Sequence, residues 1–223
     1  RGGRCSSSAC RQAWNVSEIA PIVFVIDDNP AVRDAIDGLL RSVRLTTRTV
    51  GSTEEFLAAR RPDVPGCISL DVRLPGQSGL DFASDLMKLG IRLPVVLITG
   101  HGDVPMSVRA IKDGAIEFLP KPFRDRDLLE AIYLGIEQDR HWRRDYAANA
   151  TLREQFHSLT ARQRQVMAHV ATGRPNKKIA ADLKLSEVTV KVHRRHVMQK
   201  MRAKSLADLI RMADRLTHAD QTV

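Results

Sequence analysis

Five side chains in this 223-residue chain are of types that would handle a phosphoryl group if the fold gathered them: Asp27, Asp28, Asp71, Thr99 and Lys121. Three clustered carboxylates repel one another and raise each other's pKa unless a cation joins them. Hard oxygen ligands at that density suit Mg2+ (or Mn2+), which takes one or two carboxylates plus a phosphate oxygen and keeps some waters. Asp71 can then be the nucleophile on phosphorus. Such transfer needs in-line positioning and charge neutralisation, which the cation and the Lys121 ammonium supply. Thr99 can donate its hydroxyl to the phosphoryl oxygens, and Gly100 beside it leaves access. Taken singly, an Asp-Asp pair is an ordinary solvated turn and a Lys-Pro an ordinary loop. The positions gain meaning from the elements that carry them.

Each of the five follows a short apolar run. Val23–Ile26 ends at Asp27-Asp28, Cys67–Leu70 at Asp71, Pro94–Ile98 at Thr99-Gly100, and Ala115–Leu119 at Pro120-Lys121. Leu45–Val50 reads as a further strand. Between these runs lie helical patterns: Val32, Ile36, Leu39 and Leu40; a capping box at Ser52–Glu55; Leu80, Phe82, Leu86 and Met87 after a Pro75-Gly76 turn; Val104–Asp113; then Leu128, Leu129, Ile132 and Ile136. Continuous apolar strands alternating five times with helices predict a doubly wound, five-stranded parallel sheet covered on both faces. In such a fold ligands sit at the carboxyl ends of the strands, where these five residues fall.

Charge divides the chain in two. Residues 23–140 hold 15 basic and 18 acidic side chains, whereas 158–223 hold 14 basic and 5 acidic. Only the last part invites an anionic partner. No apolar run approaches the roughly 18 residues that span a bilayer. The three cysteines form neither a disulfide framework nor a zinc pattern, which fits a reducing cytoplasm. Residues 1–21, rich in Arg, Gly and Ser, are read as a disordered tail, 22–138 as the α/β domain, 139–157 as a helical linker and 158–218 as a separate all-α domain of four short helices. A second capping box, Thr160–Gln163, opens that last domain, and Gly173 closes its first helix. A short helix over Pro175–Leu183 follows. Ser186 caps the next, Glu187–Met201, in which Val190, Val197 and Met201 form a buried stripe and Lys191, Arg194 and Arg195 a basic one. The last helix, Ser205–Leu216, carries Leu206, Leu209, Ile210 and Ala213 on one face, a candidate dimer contact.

With these residues in view, 23–136 resembles a response-regulator receiver domain. The matching stretches are Val25–Asp28, Leu70–Gly76, Ile98–Asp103 and Phe118–Phe123, with Thr99–Asp103 closest to the FixJ subgroup. The segment from Leu159 to Ile210 resembles the LuxR-type helix-turn-helix of the NarL/FixJ family, through Leu159–Gln163, Val170–Gly173, Asn176–Ala180 and Thr189–Arg194. The resemblance implies Asp71 as phospho-acceptor. It puts Asp28 and Asp71 on the metal directly, Asp27 nearby through water, and the Arg73 carbonyl as a further ligand. Thr99 and Lys121 would stabilise the phosphoryl group, and Thr99 and Phe118 would be a switch pair. Lys191, Val192 and Arg195 would meet base edges. Asn176, Lys177, Thr189, His193 and Arg194 would meet phosphates. Two positions depart from the usual family spelling. Gln163 stands where Glu is usual and can still serve the capping box. Lys178 also replaces a Glu, removing an internal ion-pair partner and offering another phosphate contact.

The expected function is a DNA-binding transcription factor, not a turnover enzyme, whose homodimerisation and DNA binding switch when a sensor histidine kinase phosphorylates Asp71. Double-stranded DNA, a second copy and RNA polymerase are the candidate partners. Two rivals start from the same residues. An aspartate-nucleophile phosphatase of the haloacid dehalogenase type would need a carboxylate two residues after Asp71, where Arg73 stands. A constitutive DNA-binding regulator with a non-signalling receiver would have no need of the full acidic set.

Overall fold

A computed structural model describes residues 20–100 and 104–219. The expected disordered tail falls almost wholly outside these residues, as do His101, Gly102 and Asp103 of the FixJ-like stretch. The chain divides into two compact units between His141 and Trp142.

The first unit alternates strand and helix: β1 (Ile22–Ile26), α1 (Pro30–Ser42), β2 (Thr46–Val50), α2 (Thr53–Ala58), β3 (Gly66–Asp71), α3 (Gly79–Asp85), β4 (Val95–Thr99), α4 (Val104–Lys112) and β5 (Glu117–Pro120), and it ends within α5 (Asp125–His157). The strands form one sheet in the order β2-β1-β3-β4-β5, with every pairing parallel. Side chains alternate across each strand, so the apolar runs feed two cores. Phe24, Ile26, Leu70 and Leu97 face Phe56 of α2 and Phe82 of α3. Val23, Val25, Val96 and Ile98 face Leu40 of α1 and Leu128 and Ile132 of α5. Burial on both faces explains why the strands read as unbroken apolar runs rather than alternating ones.

Several boundaries differ from those expected. Strand β5 begins at Glu117 rather than Ala115, because Gly114 and Ala115 still serve helix α4. Their N–H groups donate to Ile111 and Ala110 carbonyls, and Gly114 takes φ +96°. Strand β4 begins after Pro94, which has no N–H but accepts the Ile68 N–H at 2.8 Å. At α2 the capping box is half made. Ser52 accepts from the Glu55 N–H, but Glu55 reaches past it to the N–H of Gly51. Residues 139–157 continue helix α5. Asp139, where the linker is expected to begin, is buried and accepts the Gly66 N–H at the start of β3, at 2.8 Å.

The second unit holds α6 (Ala161–Ala171), α7 (Asn176–Leu183), α8 (Glu187–Lys200) and α9 (Leu206–Ala219). Val166, Val170, Ile179, Val190, Val197 and Met201 build its core, with Leu152 and Phe156 from the end of α5. Thr160 and Gln163 complete a reciprocal capping box at α6, so Gln does the work of the usual Glu. Gln163 also accepts from the Lys200 ammonium at 3.1 Å. Of the four apolar residues on α9 offered as a dimer face, Leu209 is buried in the unit's own core and Ala213 packs on it. Only Leu206 and Ile210 remain for a partner.

Candidate functional site

The sheet register builds the acidic pocket. Ile26 pairs with Leu70, so Asp27 and Asp71, each the next residue, emerge side by side. Strand order reverses between β1 and β3, the switch point at which open α/β sheets bind ligands. Thr99 pairs with Pro120 on the other flank, so Lys121 follows at the same level.

The Lys121 ammonium sits between the two carboxylates, 2.7 Å from Oδ2 of Asp27 and 2.7 Å from Oδ2 of Asp71. The other oxygen of each is held by a backbone N–H two residues on: Asn29 to Asp27 at 2.9 Å and Arg73 to Asp71 at 3.0 Å. Asp27 and Asp71 are buried, whereas Asp28 is exposed. Ligand atoms of all three aspartates lie within 4.8 Å of one another. Hard oxygen donors at that spacing fit a small divalent cation.

Thr99 is fully buried, and its carbonyl accepts the Lys121 backbone N–H at 2.6 Å. Phe118 pairs with Leu97 across the sheet and is half-buried against the core beside α2 and α3. Arg73 is exposed and bridges back to Ser78. The Gly79 N–H donates to the Val72 carbonyl at 2.9 Å, returning the loop to the strand end. A side-chain carbon at Gly79 would collide with the Asp71 carbonyl oxygen. Two further contacts are invisible in the motifs: the Asn29 N–H above, and the Arg33 guanidinium, which donates to the Asp27 carbonyl at 2.6 Å. Arg33 lies one turn into α1 with no spacing signal to mark it.

Burial pushes the Asp27 carboxyl above its ordinary range, against the opposing hydrogen bonds and charge of Lys121 and the Asn29 N–H; the Asp71 charge adds to the rise. For Lys121, burial pulls downward but the hydrogen bonds and charges of both aspartates outweigh it and raise its pKa. A carboxyl whose pKa rises on folding binds its proton more tightly in the folded chain. That contribution to stability is complete below the ordinary aspartate range and is lost as pH rises through the raised value. Asp27→Asn has no such titration. It is expected to unfold at higher urea than wild type at neutral pH without divalent cation, with the gap closing as pH falls through the raised range. Urea titrations at neutral and mildly acidic pH check this; a lower neutral midpoint for the variant would mean that the Lys121 pair outweighs the cost of burial.

In the second unit, Ser186 caps α8 by accepting the Thr189 N–H, and its hydroxyl lies 2.8 Å from that of Thr189. Lys191, Val192 and Arg195 are exposed together on α8. Arg194 departs from the expected basic stripe. It is half-buried and donates to the Asn176 side chain of α7 at 2.6 Å, so two residues expected at phosphates are bonded to each other. Lys177 and Lys178 are exposed at the start of α7. His193 is half-buried, and its Nδ1 has no hydrogen-bond partner among the described residues.

Comparison with known proteins agrees with both units. The family profile "Response regulator receiver domain" matches residues 23–133, and "Bacterial regulatory proteins, luxR family" matches 157–213. Nodulation protein W of Bradyrhizobium diazoefficiens is 50% identical over 205 residues, covering 90% of each chain. Transcriptional regulatory protein FixJ of Azorhizobium caulinodans is 42% identical over 191 residues, covering 86% of this chain and 90% of its own. The solved structure of the response regulator StyR superposes with a TM-score of 0.77 at 44% identity, covering 88% of this chain and 99% of its own. A receiver sheet joined to a LuxR-type helical unit defines a response regulator with a DNA-binding output, not a substrate-turnover enzyme. The chain belongs to the NarL/FixJ family. No helix of the described residues is long and apolar enough to cross a membrane.

Proposed function

We propose that Asp71 is the phospho-acceptor of this regulator and that its phosphorylation controls DNA binding through α8. The observation that carries the reading is the Lys121 ammonium held at 2.7 Å from both Asp27 and Asp71, which leaves a buried carboxylate beside a fixed positive charge. A carboxylate oxygen of Asp71 attacks the phosphorus of a kinase phosphohistidine. The new P–O bond forms as the P–N bond breaks, and the electron pair leaves with the imidazole. Asp28, Asp71 and the Arg73 carbonyl would hold Mg2+ (or Mn2+), with Asp27 nearby through water. Bound there, the ion would neutralise the oxygens of the transferring group. Lys121 and Thr99 then hold the phosphoryl oxygens, and Phe118 follows Thr99 as the switch partner. The partners of this cycle are a sensor histidine kinase, double-stranded DNA and a second copy of the chain, all in the cytoplasm, with RNA polymerase downstream. Mass spectrometry after incubation with acetyl phosphate and Mg2+ tests the first step.

On the DNA side, Lys191, Val192 and Arg195 face base edges, while Asn176, Lys177, Thr189, His193 and Arg194 lie toward phosphates. Arg195→Ala is expected to cost about 1–3 kcal/mol on a preferred sequence and to relax choice at one base position. Lys177→Ala is expected to weaken all duplexes alike and to lower the salt slope by about 1. Affinities across operator variants at several salt concentrations separate the two. Identical behaviour of both variants would remove the distinction between base and phosphate contacts.

A further inference from the structure

We propose that Val188 is an additional specificity residue, reading the C5-methyl group of a thymine in the major groove. The inference rests on the DNA-facing role of α8 and deepens it. At 70% relative exposure, Val188 is the most open of the large apolar side chains in the described residues. A single exposed valine is ordinary; this one is distinguished by its position. Ser186 caps the helix, so Val188 lies in the first turn of α8, the end of a recognition helix that meets base edges. A β-branched residue adds nothing to helix propensity there.

Helical spacing sets Val188, Lys191, Val192 and Arg195 on one stripe, at i, i+3, i+4 and i+7. The buried residues Val190, Val197 and Met201 occupy the opposite side. The stripe therefore pairs two exposed valines, Val192 being 47% exposed, with two exposed cations. Such a surface has a definite complement. Lys and Arg match the acceptor edge of guanine, and small apolar side chains match the thymine methyl, which only the major groove presents. The unit's excess of basic residues, 14 against 5 acidic from residue 158 onward, selects a polyanion as the partner that covers it.

The test uses the full chain treated with acetyl phosphate and Mg2+. Duplexes are first selected from a randomised pool by the wild-type protein. Each thymine of the selected sequence is then replaced, one at a time, by deoxyuridine, which lacks only the methyl group. Wild type, Val188→Ala and Val192→Ala are titrated against every duplex. One thymine per half-site is expected to matter about three- to tenfold to wild type, the range for one buried methyl. That same replacement should leave Val188→Ala unmoved while Val192→Ala still responds. A Val188→Ala protein that loses the same factor as wild type at every thymine overturns the inference. So does a sequence-selective wild type that ignores every methyl, and in that case the DNA-reading role of α8 stands. A wild type that selects no sequence at all overturns both.

Discussion

Asp71→Asn is expected to take up no phosphoryl group from acetyl phosphate and Mg2+, where wild type gains one. The amide nitrogen is no nucleophile and the amide oxygen carries no charge, so the loss should be complete rather than graded. The variant keeps an oxygen able to accept the Arg73 N–H and removes one of three clustered negative charges. Its fold should therefore survive, and its stability without divalent cation should be no lower than that of wild type. Intact-protein mass spectrometry reads the modification. Operator titration with and without phosphodonor reads the output. A variant that is still phosphorylated would move the acceptor elsewhere, and one whose operator affinity still responds to the donor would uncouple DNA binding from Asp71. Sustained hydrolysis of small phosphoesters by wild type would instead favour a phosphatase, against which Arg73 already argues.

Lys121→Met is expected to carry the largest stability cost of any single change in the pocket. Methionine retains most of the apolar stem and removes the charge. It leaves Asp27 and Asp71, 2% and 8% exposed at their side chains, facing each other without the ammonium that now contacts both. Breaking a buried pair by deleting one partner costs about 3–5 kcal/mol. The Lys121 side chain is 23% exposed, and that access to water brings the expectation to about 2–4 kcal/mol. Two features identify the cause. Millimolar Mg2+ should recover part of the loss by binding the folded state alone. The deficit should also shrink as pH falls, because protonating Asp27, whose pKa burial raises, removes one of the unpaired charges. Urea unfolding with and without Mg2+ across pH measures both. A deficit indifferent to cation and pH would assign Lys121 to packing.

The pocket was largely legible in the sequence because topology, not local spelling, assembles it. Apolar runs that end in Asp27, Asp71, Thr99 and Lys121 need only a parallel sheet to bring those ends together, and the pairing of Ile26 with Leu70 does so. Less legible were choices made by backbone groups. Which N–H groups would hold the second oxygens of Asp27 and Asp71, and that Arg33 would reach the Asp27 carbonyl, depend on loop paths that no residue pattern encodes. The start of β5 was misplaced for a related reason: Ala115 and Ile116 are apolar enough for a strand, but the Ala115 N–H closes α4. On α8 and α9, periodicity identified the faces without telling a face that needs a partner from one already covered. Leu209 fell on the wrong side of that line, taken by the core, and Arg194 is shared with Asn176.

The close approach of Gly79 to the Asp71 carbonyl oxygen divides the loop between them into positions with different evolutionary freedom. Arg73 and Pro75 are exposed, so substitutions there can accumulate with little effect on the fold, whereas Gly76, at φ +87°, is held by its backbone conformation. Gly79 has no such latitude, since even one methyl group would displace the peptide that carries Asp71. A residue with no chemistry of its own thus fixes the backbone on which Asp71 stands. Drift in the loop is confined to its exposed crown, while its return to the sheet stays fixed.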